Sequence, residues 1–178
     1  MDYREKYPLS LRLVSLLIDT ALAVGGLAII VIVFVNAMLR GAAGFDFSWS
    51  LEVVAFLLLW VTFLGCAAAT ARGAHMRVTE IAASVVPLRL RRPLAIVIDI
   101  AITVLLISLV YFGAVISMRT WAQETSVLYW PVGLLYASMP VGMALTLLFH
   151  LANFYIDASE GPPDGMSLAD DDTREAHG

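Results

Sequence analysis

LEVVAFLLLWVTFLGCAAATA, residues 51–71, carries one charged side chain, Glu52, in its first turn and none after it. A helix rises about 1.5 Å per residue, so a run of this length covers the roughly 30 Å hydrocarbon thickness of a bilayer. Three further stretches, 13–39, 94–118 and 130–156, have the same character. The chain therefore reads as an all-α membrane protein with four transmembrane helices in a membrane domain of residues 13–156. Residues 1–12 form a short cytoplasmic N-terminus, and residues 157–178 an acidic, disordered cytoplasmic tail.

The whole composition agrees. Of 178 residues 60% are hydrophobic, and the mean hydropathy is +0.84, values of the membrane class. The length leaves no room for a second globular domain. The net charge of -4 misleads, because much of the acid is gathered in the tail as Asp157, Glu160, Asp164, Asp170, Asp171, Asp172 and Glu175. No basic surface for nucleic acid follows from this distribution. Cys66 is the single cysteine, so neither an internal disulfide nor a cysteine-based metal site can form. Arg4, Lys6 and Arg12 precede the first apolar run as in a secretion signal. That run is much longer than a signal core of about 7–15 residues and reads as a retained first span.

Charge sets the expected orientation. Arg4, Lys6 and Arg12 precede the first helix, and Arg72, Arg77, Arg89, Arg91 and Arg92 lie between the second and third. The other two connections hold only Arg40 and Arg119. The positive-inside rule then puts both termini in the cytoplasm. Phe45, Phe47, Trp49, Trp121, Tyr129 and Trp130 gather at the two outer turns, where amphipathic rings favour the interface. Within residues 76–87, Val78, Ile81, Ala82 and Val85 recur at helical spacing, which predicts a short amphipathic helix on the inner membrane surface.

Charges inside the spans are costly and each needs an account. Asp19 and Asp99 lie near the inner ends of the first and third helices, at the depth of the inner arginines, and are candidates for salt bridges there. Glu52 opens the second helix, where the macrodipole favours an anion. Arg40 and Arg119 end the first and third helices at the same depth, which predicts an outer ionic set of Arg40, Glu52 and Arg119. It is either structural or turned to a partner subunit. Trp60 lies midway along the second helix, as an internal packer or as a knob into another subunit. Gly65 with Ala69, and Ser138 with Gly142, permit close helix approach. Pro140 predicts a kink in the fourth helix. His150 is the one histidine inside a span and cannot supply paired haem ligands, so no cofactor is expected in this chain. No nucleophile and base stand at a shared depth, and an enzyme is not expected.

The run from Trp49 to Glu80, WSLEVVAFLLLWVTFLGCAAATARGAHMRVTE, resembles the small membrane subunit of tripartite ATP-independent periplasmic (TRAP) transporters. The family pattern has an outer aromatic and a glutamate at the start of helix two, a mid-helix tryptophan and a glycine. An Arg-Gly-x-His step follows, into an inner segment ending at proline. Trp49, Glu52, Trp60, Gly65, Arg72, Gly73, His75 and Pro87 occupy these positions, and Asn36 and Arg40 resemble the end of the family's first helix. Glu80 departs from the commoner aspartate, and only one acid follows Trp49 where two adjacent ones are frequent.

The resemblance implies a non-catalytic scaffold. Its partners would be a large membrane subunit, which holds the sodium and substrate sites, and a periplasmic solute receptor that delivers an organic acid. It also implies a bacterial inner-membrane location with no substrate site in this chain, and together with the outer ionic set it leaves Arg40, Glu52, Trp60, Gly65, Arg72, His75 and Arg119 as partner-interface or structural candidates. The residues alone leave open a self-contained small dimeric four-helix transporter. Such a carrier would need an essential carboxylate, with Glu52 or Asp99 in that role.

Overall fold

A computed structural model describes residues 7–73 and 88–160, with the side chains of 88–93, 95 and 157–160 excepted. Among the described residues the structure is helical: α1 Leu9–Ala43, α2 Ser48–Ala71, α3 Leu88–Arg119, α4 Val132–Tyr136 and α5 Ser138–Glu160. Four stretches are long and apolar enough to cross a membrane, the fourth being α4 and α5 together. The helices outrun the apolar stretches that predict them. Pro8 stands just ahead of α1, where a missing N–H costs nothing, and accepts the Arg12 amide at 3.1 Å. Gly44, with φ 65°, ends α1 in the left-handed conformation that glycine adopts freely. Gly73, with φ 77°, does the same just beyond α2.

The fourth span is not one helix over 130–156. Trp130 and Pro131 lie outside it, and the helix is interrupted at Ala137. The cause is Pro140, which has no N–H for the Tyr136 carbonyl and whose ring crowds that carbonyl. The Ser138 hydroxyl donates to the Leu135 carbonyl at 2.6 Å across the break, and the helix resumes with the Val141 amide on the Ala137 carbonyl at 3.2 Å. At its far end α5 continues through Glu160, four residues past the expected end of the span at 156, so residues 157–160 are helical and not part of a disordered tail. The predicted surface helix of residues 76–87, His75 and the tail from residue 161 lie outside the described residues.

The broad helix contacts run in a line: α1 against α2, α2 against α5, and α5 against α3, with the short α4 tucked beside α3. The spans therefore stand in a row and not around a closed square. Small residues set the spacing along it. A side chain on Gly25 would come within 2.8 Å of Val61, one on Gly142 within 2.5 Å of Phe63, and one on Gly133 within 2.5 Å of the Ser117 carbonyl. Close backbone approach of this kind supplies helix–helix packing where lipid tails are as apolar as the side chains.

The best-buried cluster sits at the end of the row that holds the termini, where Ile18, Ala67, Ala68, Ala71 and Phe149 meet Tyr7. The remaining apolar surface faces outward, as with Leu16, Leu27, Ile30 and Phe34 on α1 and Val104, Leu105, Ile107 and Phe112 on α3. Only a hydrocarbon surround or a partner chain covers so much apolar area without penalty.

Candidate anchoring and partner-facing residues

Two groups of polar contacts pin the row, one at each end. At the terminus end Arg72, just past α2, donates from its guanidinium to an Asp19 carboxylate oxygen on α1 at 3.0 Å. Beside them the Tyr7 hydroxyl donates to Asn153 Oδ1, and Asn153 Nδ2 donates to the Thr70 carbonyl at 2.9 Å. The Tyr7 ring stacks on Phe149 with centroids 5.8 Å apart. The Tyr7 hydroxyl also lies 3.5 Å from the Ala71 carbonyl, so the stretch before α1, the end of α2 and the last turns of α5 are tied by polar contacts set among apolar side chains. His150 is buried next to this cluster. Asp99, the other expected salt-bridge acid, takes no ion-pair partner among the described side chains, and its carbonyl accepts the Thr103 hydroxyl at 2.8 Å.

At the opposite end, which holds the α1–α2 and α3–α4 turns, the expected ionic set does not form. Both Glu52 oxygens accept backbone amides, from Val127 at 2.8 Å and Leu128 at 2.9 Å. Those amides belong to the turn after α3, where Tyr129 holds φ 55°. The carboxylate is the acceptor this turn lacks internally, and two amide donors on an anion make a strong contact. Arg40 and Arg119 instead each stand in the last turn of their own helix, where the macrodipole favours a cation. The backbone of the turn is paired as well, with the Thr125 amide on the Trp130 carbonyl at 2.9 Å and the Val132 amide on the Gln123 carbonyl at 2.8 Å. The α1–α2 turn is held by Asn36, whose Nδ2 donates to Asp46 Oδ1 and whose Oδ1 accepts the Phe47 amide, both at 2.9 Å.

The remaining candidates divide. Trp60 packs against Phe56 with centroids 5.9 Å apart, and Phe56 in turn meets Trp130 at 5.6 Å. The Trp60 indole N–H is buried with no acceptor among the described residues. Gly65 has nothing within 4 Å of the place a side chain would occupy, so it makes no close helix contact within the chain. It belongs to an open side of α2 with exposed Thr62, Cys66 and Ala69.

Sequence reasoning passed over Tyr7, Asn153 and Ser117. The Ser117 hydroxyl donates to the Gly133 carbonyl at 2.7 Å in a buried contact between α3 and α4. Asn153 carried a signal, as an amide inside an otherwise apolar run. Tyr7 and Ser117 carried none that separates them from ordinary interfacial or packing residues. No cluster of three metal-ligating side chains occurs among the described residues.

Residues 29–160 match the family of tripartite ATP-independent periplasmic transporters, DctQ component. The chain belongs to this family. It is also 28% identical over 141 residues to a curated relative from Halomonas elongata, the ectoine TRAP transporter small permease protein TeaB. The alignment covers 78% of this chain and 72% of the relative. As a DctQ component the chain is a transporter subunit and a multi-pass protein of the inner membrane. Its general kinds of partner are a large membrane subunit and a periplasmic receptor. The match begins midway along α1 and extends to the end of α5. It takes in the Glu52-held turn but leaves Tyr7 and Asp19 outside.

Proposed function

We propose that the chain is the non-catalytic scaffold of a TRAP importer, bracing a large sodium-coupled subunit that takes up an organic acid handed over by the receptor. The observation that carries this reading is the row arrangement. A carrier usually encloses a polar site near the membrane midplane, commonly where helices are broken. Here the break at Ala137 is closed by Ser138 on Leu135, and the polar contacts lie at the two ends of the row. A brace needs broad apolar faces fixed at both ends, and the Asn153 and Glu52 contacts supply the fixing.

The open side of α2 around Gly65 is our choice for the face that meets the large subunit, because a second helix can approach closely there. Trp60, with its buried unpaired N–H, and Arg40, Arg119, Arg72 and His75 remain candidates for that interface or for anchoring. No cofactor is assigned to this chain, and sodium would bind in the large subunit. Both termini lie in the cytoplasm in this reading.

Co-purification and reconstitution test the proposal together. The tagged chain should bring down a larger membrane subunit, and vesicles holding both should take up solute with receptor and a sodium gradient. Vesicles holding this chain alone should show no flux. Uptake by the chain alone would favour the self-contained dimeric carrier and overturn the scaffold reading.

A further inference from the structure

The turn end of the row holds a groove of about 410 Å³ between α1 and α2, lined by Val33, Asn36, Ala37, Arg40, Gly41, Ser50, Leu51 and Val54. Val33 and Leu51 on its walls are exposed within the chain and belong to membrane-spanning helices, so in a membrane they meet lipid or a partner. Its walls are chemically graded. Val33, Ala37, Leu51 and Val54 make its apolar lining, and Arg40 joins the wall one helical turn beyond Asn36. Arg40 has no acidic partner among the described residues. Asn36 is fully engaged, because it holds Asp46 with its Nδ2 and the Phe47 amide with its Oδ1. That engagement holds the Asp46 carboxylate against Asn36, a side chain of the groove wall. The groove therefore has a cation in its wall, Arg40, and an anion, Asp46, hydrogen-bonded to another wall residue.

We propose that this groove binds one zwitterionic glycerophospholipid of the phosphatidylethanolamine type. An acyl chain lies against Val33, Ala37, Leu51 and Val54. The phosphate meets the Arg40 guanidinium, which presents planar, paired donors suited to phosphate oxygens. The headgroup ammonium lies toward Asp46. A basic residue between membrane helices is a recognised way of holding lipid headgroups. The acid beside it selects a headgroup that carries its own cation over an anionic one. The bound lipid fills a gap that α1 and α2 leave open and becomes part of the brace at that end. The inference depends on membrane placement and not on the scaffold role.

Native mass spectrometry tests it, applied to the full chain with whatever membrane subunit copurifies, after exchange into defined mixtures of phosphatidylethanolamine and phosphatidylglycerol. Wild type should retain one phospholipid, with phosphatidylethanolamine preferred. Arg40→Gln should lower retention about fivefold, the factor one basic side chain near a headgroup is worth. Gly41→Leu should abolish retention by filling the groove. It should leave helix content unchanged, because nothing lies within 4 Å of a Cβ placed at Gly41 and the longer side chain extends into the groove that Gly41 lines. Asp46→Asn should keep retention but erase the headgroup preference. Equal retention by wild type, Arg40→Gln and Gly41→Leu would overturn the proposal. So would a wild-type preference for phosphatidylglycerol, or a lipid-free groove in which a partner's carboxylate pairs with Arg40.

Discussion

The Glu52 carboxylate holds the turn after α3 by its two amides, at Val127 and Leu128. Glu52→Ala removes both acceptors, whereas Glu52→Gln keeps one carbonyl oxygen. Hydrogen exchange at the Val127 and Leu128 amides should be fast in the alanine variant, intermediate in the glutamine variant and slow in wild type. Protection that survives in Glu52→Ala would mean the Gln123–Val132 and Thr125–Trp130 backbone pairs hold the turn unaided.

Glycine positions give a sharper contrast. A Cβ on Gly142 would meet the Phe63 backbone carbonyl carbon and oxygen at 2.8 Å, atoms that cannot swing away. Gly142→Ala should cost about 1–3 kcal/mol, the usual range for overpacking a tight contact. Gly65→Ala meets nothing and should be neutral in the isolated chain. Thermal unfolding in detergent measures both, and an equal loss from the two variants would contradict the packing described. From sequence these glycines are indistinguishable, since each stands four residues from a small neighbour. Only the structure tells which one faces a helix of its own chain.

Among the elements, the two ties at the terminus end differ in kind and weight. Arg72 in the Asp19 pair is 56% exposed, and exposed ion pairs contribute roughly 0–1 kcal/mol. Asn153 joins the stretch before α1 to the end of α2 through part-buried hydrogen bonds. Deleting it removes two hydrogen bonds at about 0.5–1.5 kcal/mol each, while the Thr70 carbonyl keeps the Gly73 amide at 3.0 Å and the Tyr7 hydroxyl keeps the Ala71 carbonyl at 3.5 Å. Asn153→Leu should therefore destabilise more than Asp19→Asn, read as the shift in unfolding midpoint. The reverse order would place the main tie in the ion pair.

Span existence was legible because some twenty apolar residues in succession admit few other readings. The interruption at Ala137 was half legible: Pro140 announces a kink, but the site of the break depends on which carbonyl loses its donor. The pairing of Glu52 was not legible. Depth arguments place it level with Arg40 and Arg119, yet they carry no account of unfilled backbone amides in a neighbouring turn.

At the scale of the whole molecule, the row fixes which ends lie together and leaves the side of the membrane to charge. The Glu52 contacts put the α1–α2 and α3–α4 turns at one end, and the Asp19 and Asn153 contacts put the starts of α1 and the end of α5 at the other. In the orientation proposed above, the basic residues before the first span and between the second and third place that second end in the cytoplasm, as the positive-inside rule expects. Single thiols read this out directly, because replacing Cys66 by alanine leaves a chain without cysteine. In that background a thiol at Val127 should react with a membrane-impermeant maleimide in spheroplasts. One at Leu9, the first residue of α1, should react only after the membrane is opened. Both positions are exposed, Val127 by 41% and Leu9 by 75%, so burial within the chain does not decide the outcome. Labelling of Leu9→Cys in intact spheroplasts would invert the protein. It would also turn the Glu52-held turn away from the receptor side.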